Sequence, residues 1–278
     1  MHTHYSDGRA APREMLQHAA KLGLTTVAIT DHDNARGARE ARPLARGLGL
    51  NLIPGIEFTC RWRVQAGAPQ DQDVDLLGYF VDLDDPDWQR VEAAALDDFQ
   101  ARIGNCCARL TAAGNSVTLD DVLVENPRYA GAMQLIFTLH RQGYADGWEG
   151  AMALFLEHWK QVRRSALPIA HAIAAIHAAG GVAVLAHPTL VECDTGWLQA
   201  AHVAALVEMG LDGLEVYHYR LDDTARAHFM ALAEQFDLAL SGGSDEHGWR
   251  AGLARMGTQP VTKALVAALR ARRGGSGN

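Results

Sequence analysis

Histidine and carboxylate recur in this chain at one kind of place, the residues that close a short apolar run. "TTVAIT" is followed by Asp31, His32 and Asp33, and "LIPGI" by Glu57. "VAVLA" is followed by His187, "GLEVY" by His218, and "LALSGGS" by Asp245, Glu246 and His247. The chain also opens on "MHTHYSDG", which sets His2, His4 and Asp7 ahead of the first helical pattern. Imidazole and carboxylate together suit borderline or hard divalent cations such as Zn, Mn or Fe. Any one of these residues alone reads as a turn or a cap. Five run ends with the same chemistry read as one site, with more donors than a single ion needs. Paired ions suit phosphoester hydrolysis, because one activates a water and together they clamp the attacking and leaving oxygens. Glu57 is the natural bridge between them. Asp31 and Asp33 are expected either to cap the following helix or to orient a ligand from behind.

Such a site needs a fold that gathers strand ends. Short apolar runs alternate here with helical patterns: "APREMLQHAAKLG" before "TTVAIT", "PIAHAIAAIHAAGG" before "VAVLAHP", "DTARAHFMALAEQF" before "DLALSGGSDEH". About six strands separated by helices predict α/β units with a parallel sheet. In barrels of this kind the C-terminal strand ends and their loops form one face, where active sites lie. Residues 86–165 break the pattern. Strand signals vanish from "DWQRVEAAALDDFQARIGNCCARLTAAG" through "WEGAMALFLEHWKQV", which predicts a helical cap inserted over the barrel mouth. The barrel is then discontinuous, 1–85 and 166–272, with a frayed tail at 273–278. His18, His140, His158, His171, His177, His202 and His228 fall inside helical patterns and read as ordinary helix residues.

Composition narrows the class. Apolar residues make up 48%, enough for a large core, and the formal net charge is -8 with no basic stripe. A duplex-DNA binder that works by neutralising phosphates is therefore excluded, whereas phosphate chemistry through bound cations is not. Cys60, Cys106, Cys107 and Cys193 form no CxxC pair and read as thiols of a reducing compartment. No apolar run approaches membrane-spanning length and the N-terminus lacks a signal segment, so a cytoplasmic protein is expected.

The stretches "SDG", "TDHD", "PGIE", "LLGYF", "AHP" and "GGSDEHG" occur in this order from Ser6 to Gly248. In this the chain resembles the polymerase and histidinol phosphatase (PHP) family of metal-dependent phosphoesterases. The helical insert further resembles the branch with nucleoside 3',5'-bisphosphate phosphatases and short-RNA 5'-to-3' exonucleases. The resemblance implies a distorted (β/α)7 barrel and two or three divalent ions (Mn, Zn, Fe or Mg). It implies Asp7, His32, Glu57, His187, Asp245 and His247 as ligands. It also implies a nucleotide or short single-stranded RNA as substrate, attacked by a metal-bound hydroxide.

Three departures from that pattern matter. The family's His-x-His stands four residues before Ser-Asp-Gly at its second histidine, which makes His2 the ligand and His4 a bystander or a substitute. The first histidine and a first strand of about five residues then fall ahead of Met1; an in-frame upstream sequence encoding an apolar stretch is expected, and a stop codon there would refute it. Asp75 in "VDLLGYF" stands where the family has histidine, which keeps a ligand but shifts metal preference toward harder ions. Ala132, Gln134 and Phe137 occupy the positions of the family's Arg-x-His and second Arg, which hold substrate phosphate. Arg128, Arg163 and Arg164 are the nearby alternatives, and His218 is a further candidate for contact with substrate. These departures leave an alternative, a catalytically impaired metal- or nucleotide-binding module. An amidohydrolase acting on C–N bonds would need a carboxylated lysine at a strand end, and none is offered.

Overall fold

The computed structural model describes residues 1–64, 71–249 and 252–274. Its elements run α1 (Pro12–Lys21), β1 (Thr26–Ile29), α2 (Arg36–Gly47), β2 (Asn51–Trp62) and β3 (Gln72–Tyr79), then α3 (Pro86–Ala112), α4 (Leu119–Leu123), α5 (Ala132–Arg141) and α6 (Gly147–Trp159). They continue with α7 (Ile169–Ala178), β4 (Val182–Leu185), a 3-10 turn (Pro188–Leu190), α8 (Ala200–Glu208), β5 (Gly213–Tyr217), α9 (Asp223–Gln235), β6 (Ala239–Gly242) and α10 (Lys263–Ala271).

The six strands form one sheet in chain order. The parallel sheet expected from the alternation holds for β1–β2, β4–β5 and β5–β6. It fails at β3, which runs antiparallel to both β2 and β4. The reason lies in the connections. Only residues 63–71 join β2 to β3, too few for the helical crossover that a parallel pair requires, so the chain must turn back. The long cap insert then joins β3 to β4.

Helix ends are set locally. Asp85 accepts from the amides of Asp87 (2.7 Å) and Trp88 (3.3 Å) with Pro86 next to it, which starts α3. Asp222 and Thr262 start α9 and α10 in the same way. The main core lies between the sheet and its covering helices, around Leu16, Ile29, Phe58, Leu76, Ile173, Leu185, Leu206 and Phe229. Every residue of β4 is buried, so its continuous Val-Ala-Val-Leu run contributes roughly 1.5–3 kcal/mol for each large side chain. A separate core of Ile103, Leu110, Leu135, Leu139 and Phe155 holds α3 to α6 together. Arg39 ties this cap to the barrel, donating twice to Glu92 of α3 at 2.7 Å.

Between the edges of β1 and β6, which are not paired with each other among the described residues, lies a cavity of about 490 Å3. Its top is crossed by the first two residues: Thr30 N donates to the Met1 carbonyl at 3.0 Å and His2 N to the Glu246 carbonyl at 2.9 Å. Residues 275–278 of the expected tail lie outside the described residues, and Arg273 is not frayed, since its guanidinium donates to the Gly180 carbonyl. No helix of the described residues is long and apolar enough to cross a membrane.

Candidate metal centre

The N-terminal stretch is pinned down by one carboxylate. Asp31 is fully buried and accepts from Thr3 N (2.6 Å), Thr3 Oγ1 (2.8 Å) and Ser6 Oγ (2.8 Å). The loop folds so tightly that a side chain at Gly8 would collide with the His2 carbonyl, which explains the glycine of "SDG". Gly37 is required for a related reason, because a Cβ there would overlap the Asp31 carboxylate. Asp31 therefore holds the ligand loop, and Asp33 accepts from Thr59 N at 2.9 Å on β2. Contrary to the capping expectation, neither caps α2, whose N-cap is Ala35 without a side-chain bond.

Three sets of donor atoms converge above the strand ends. His2, Asp7, His32 and His247 form one, His2, Glu57 and Asp245 a second, and His32, Glu57 and Asp75 a third, each with atoms within 4.8 Å of one another. His2 Nε2 stands 3.2 Å from Glu57 and 3.1 Å from Asp245, and its ring stacks on His247 at 4.0 Å. His187 Nε2 stands 3.0 Å from Glu57 Oε1 and 3.7 Å from Asp75. Glu57 thus belongs to two sets, the position expected of a bridge. Asp33, His187 and Asp245 all adopt positive φ, at 54°, 24° and 46°. Backbone strain at three neighbouring polar residues is characteristic of functional positions, where the surrounding fold imposes it.

His4 lies apart from the donors: its ring sits edge-on against Tyr5. Burial, with Arg128 nearby, lowers its pKa. Arg128 is exposed on the cap side with its guanidinium 5.9 Å from the Tyr5 ring, outside all three sets. His218 is fully buried, with Nε2 3.4 Å from Asp245 and Nδ1 accepting from Arg220 N. At the empty clamp positions, Gln134 is buried, and Phe137 stacks on Trp249 (4.6 Å) and meets Trp148 at a tilt (4.8 Å). Arg163 pairs with Asp98, and Arg164 stands 3.8 Å from Asp73.

Sequence reasoning missed Glu215. It is buried on β5 and accepts from His187 N at 3.0 Å, fixing the peptide of that histidine. The signal was present in "GLEVY": a carboxylate inside an otherwise apolar buried strand. Thr3 and Ser6 were equally visible as small hydroxyl residues flanking the ligands.

The electrostatics fit cations. Burial alone lowers a histidine pKa, but at His32 the charges of Asp7, Glu57 and Asp75 outweigh it and hold the ring at about 9. Glu57 does the same for His187, and Asp7 with Asp245 for His247, each held up to about 10. Burial raises carboxyl pKa values, yet the facing histidines keep Asp7, Glu57 and Asp245 well below the usual range. Burial prevails at Asp33, pushed up to about 7, and it raises Asp75 and Glu215. Several buried donor atoms, among them His2 Nδ1, Asp7 Oδ1 and His32 Nδ1, have no hydrogen-bond partner. Unsatisfied buried polar atoms converging on one point are what ligands look like without their ion.

Fold and site together define a metal-dependent phosphoesterase. Residues 1–146 match the PHP domain model, and the chain belongs to that family. It is 30% identical to the 5'-3' exoribonuclease Rnm of Escherichia coli (strain K12), over 88% of this chain and 83% of that protein. It is 27% identical to the 3',5'-nucleoside bisphosphate phosphatase of Chromobacterium violaceum, over 88% of this chain and 85% of the relative. A solved structure from Bifidobacterium adolescentis, described as a metal-dependent phosphoesterase, superposes with a TM-score of 0.80 at 29% identity, covering 98% of this chain and 94% of the other.

Proposed function

We propose that this protein removes nucleotides from the 5' end of short single-stranded RNA, or phosphate from the corresponding mononucleotide. Two or three divalent ions, Mn, Zn, Fe or Mg, would be held by His2, Asp7, His32, Glu57, Asp75, His187, Asp245 and His247. The observation that carries the reading is Glu57, ionised and shared by two donor sets one of which includes the additional carboxylate Asp75. When bound, the ions supply a nucleophile at neutral pH and neutralise charge on the phosphoryl oxygens. The chain's own residues do the rest. Asp31 and Glu215 fix the N-terminal loop and the His187 peptide. Asp33 and His218 back the strands behind Thr59 and Asp245. The mouth is dense in carboxylate, so phosphate enters only against bound cations.

Hydrolysis of a phosphoester panel with Mn added tests this. Release of mononucleotides from 5'-phosphorylated RNA, or of phosphate from a 3',5'-bisphosphate, is expected. No activity on any member with metal shown to be bound would leave the impaired binding module, which the loss of the roof clamp at Ala132, Gln134 and Phe137 favours.

A further inference from the structure

In a chain of net charge -8, one groove is positive. It lies between the end of the β2–β3 hairpin and the segment that follows α6, has a volume of about 690 Å3, and is lined by Arg61, Arg63, Lys160, Arg163 and Arg164. Ladder register connects it to the metal centre. On β2–β3, Glu57 faces Leu77, Thr59 faces Asp75 and Arg61 faces Asp73. Side chains alternate along a strand, so Glu57, Thr59 and Arg61 share one face with Asp75 and Asp73. Glu57 and Asp75 are donors of the third set. Arg61 follows one pleat beyond Asp75, about 7 Å further along the strand. The same face therefore carries both the third donor set and Arg61 of the basic groove.

Charge pairing inside the chain does not use up these cations. Asp71 serves both Arg61 (3.3 Å) and Arg63 (2.8 Å). Asp98 pairs with Arg163, and Asp73 is taken by the buried Arg102. Lys160 makes no ion pair among the described residues. Holding hairpin to cap accounts for Arg102, whose side chain is 1% exposed, but not for Arg63 and Arg163, which are 56% and 50% exposed. With the buried Arg102–Asp73 pair set aside, five lining cations against Asp71 and Asp98 leave a positive surface beside a centre that handles phosphate. A basic groove that tracks away from a nuclease centre has the form of a single-strand path.

We propose that this groove binds the phosphodiester backbone of single-stranded RNA downstream of the phosphate held at the ions. The proposal rests on the nucleotide phosphoesterase reading and gives it a substrate preference: an oligomer reaches the groove, whereas a mononucleotide bisphosphate does not. The test uses the full chain and the charge-reversal variant Arg63→Glu/Lys160→Glu, both residues being exposed and remote from the ligands, with Arg63→Gln/Lys160→Gln as the neutral control. Anisotropy of a 5'-phosphorylated, 3'-fluorescein-labelled hexaribonucleotide is read with Ca as the one divalent ion, which screens the carboxylates of the centre, and the probe is checked to be uncut at the end of the reading. Binding is expected for the unaltered chain, about tenfold or more weaker for the charge-reversal variant, with a log–log salt slope shallower by about 1.4 for two lost phosphate contacts. With Mn, KM for the hexamer is expected to rise by a similar factor at unchanged kcat, and KM for a nucleoside 3',5'-bisphosphate to stay where it was. Equal hexamer affinity in variant and unaltered chain, no hexamer binding at all, or KM rising equally for both substrates overturns the groove. Hydrolysis of the bisphosphate alongside any of these results leaves the phosphoesterase reading standing; absent hydrolysis with intact hexamer binding refutes that reading instead.

Discussion

Loading the centre with metal should displace protons from the histidines that the surrounding carboxylates hold protonated. His32, His187 and His247 are held at about 9, 10 and 10 by the carboxylates around them. Near neutral pH all three are protonated in the metal-free protein, and each must lose its proton to ligate. Asp7, Glu57 and Asp245 sit well below the usual range and are already ionised. Filling the centre near neutral pH should therefore release about three protons per chain, and the logarithm of the overall affinity should rise by about three per pH unit. The rise flattens as pH passes the histidine values. The sign in the metal-free protein is opposite for the two kinds of group. Raised histidines contribute stability that is complete below their ordinary value of 6.5 and lost as pH climbs through 9 to 10. Lowered carboxylates contribute stability present above their ordinary values and lost in acid. Titration calorimetry of Mn into chelator-treated protein, in two buffers of different ionisation enthalpy, counts the protons directly. Release of fewer than one proton per chain, or an affinity flat across neutral pH, would refute the electrostatic account of this site.

Other outcomes follow from single contacts. Asp31→Asn keeps the shape but weakens its bonds to Thr3 and Ser6, and should cost about 10–100-fold in metal affinity, measured by competition with a fluorescent chelator. Glu57→Gln should abolish the shared position, so metal analysis should find fewer ions per chain than in the unaltered protein, with hydrolysis lost. Glu92→Ala removes a nearly buried partner of Arg39 and of Ala35 N. It should lower the unfolding free energy by about 3 kcal/mol in a urea titration. Asp75→His should leave the chain folded and shift its preference toward softer ions, read as the ratio of Zn to Mn activity.

The alternation of apolar runs with helical patterns made six strands and a helical insert legible, since each element follows from local periodicity. The direction of β3 was legible only in the brevity of residues 63–71, a length that outweighs the α/β expectation. The donor residues at strand ends stood out because polar residues there interrupt apolar runs. Glu215 did not, because its role depends on the peptide of His187, which comes from a different strand. The duties of Asp31 and Asp33 were equally a matter of tertiary contact: both kinds of loop, capped or ligand-bearing, begin with the same residues.

The N-terminal stretch shows how little of a ligand's precision comes from its own sequence. His2 is 1% exposed. Its backbone is held on one side through Met1 to Thr30, after β1, and on the other to Glu246, after β6. Its loop is clamped by Asp31, and Asn126 of the cap donates to the His4 and Ser6 carbonyls at 2.9 and 2.8 Å. A loop residue with freely rotating backbone would lose affinity to ordering entropy; three separate parts of the fold, the segment after β1, the segment after β6 and the cap, remove that freedom before any ion arrives. The cap fixes the loop that carries His2 and Asp7, so changes at Asn126 should reach the metal centre although Asn126 itself belongs to none of the three donor sets.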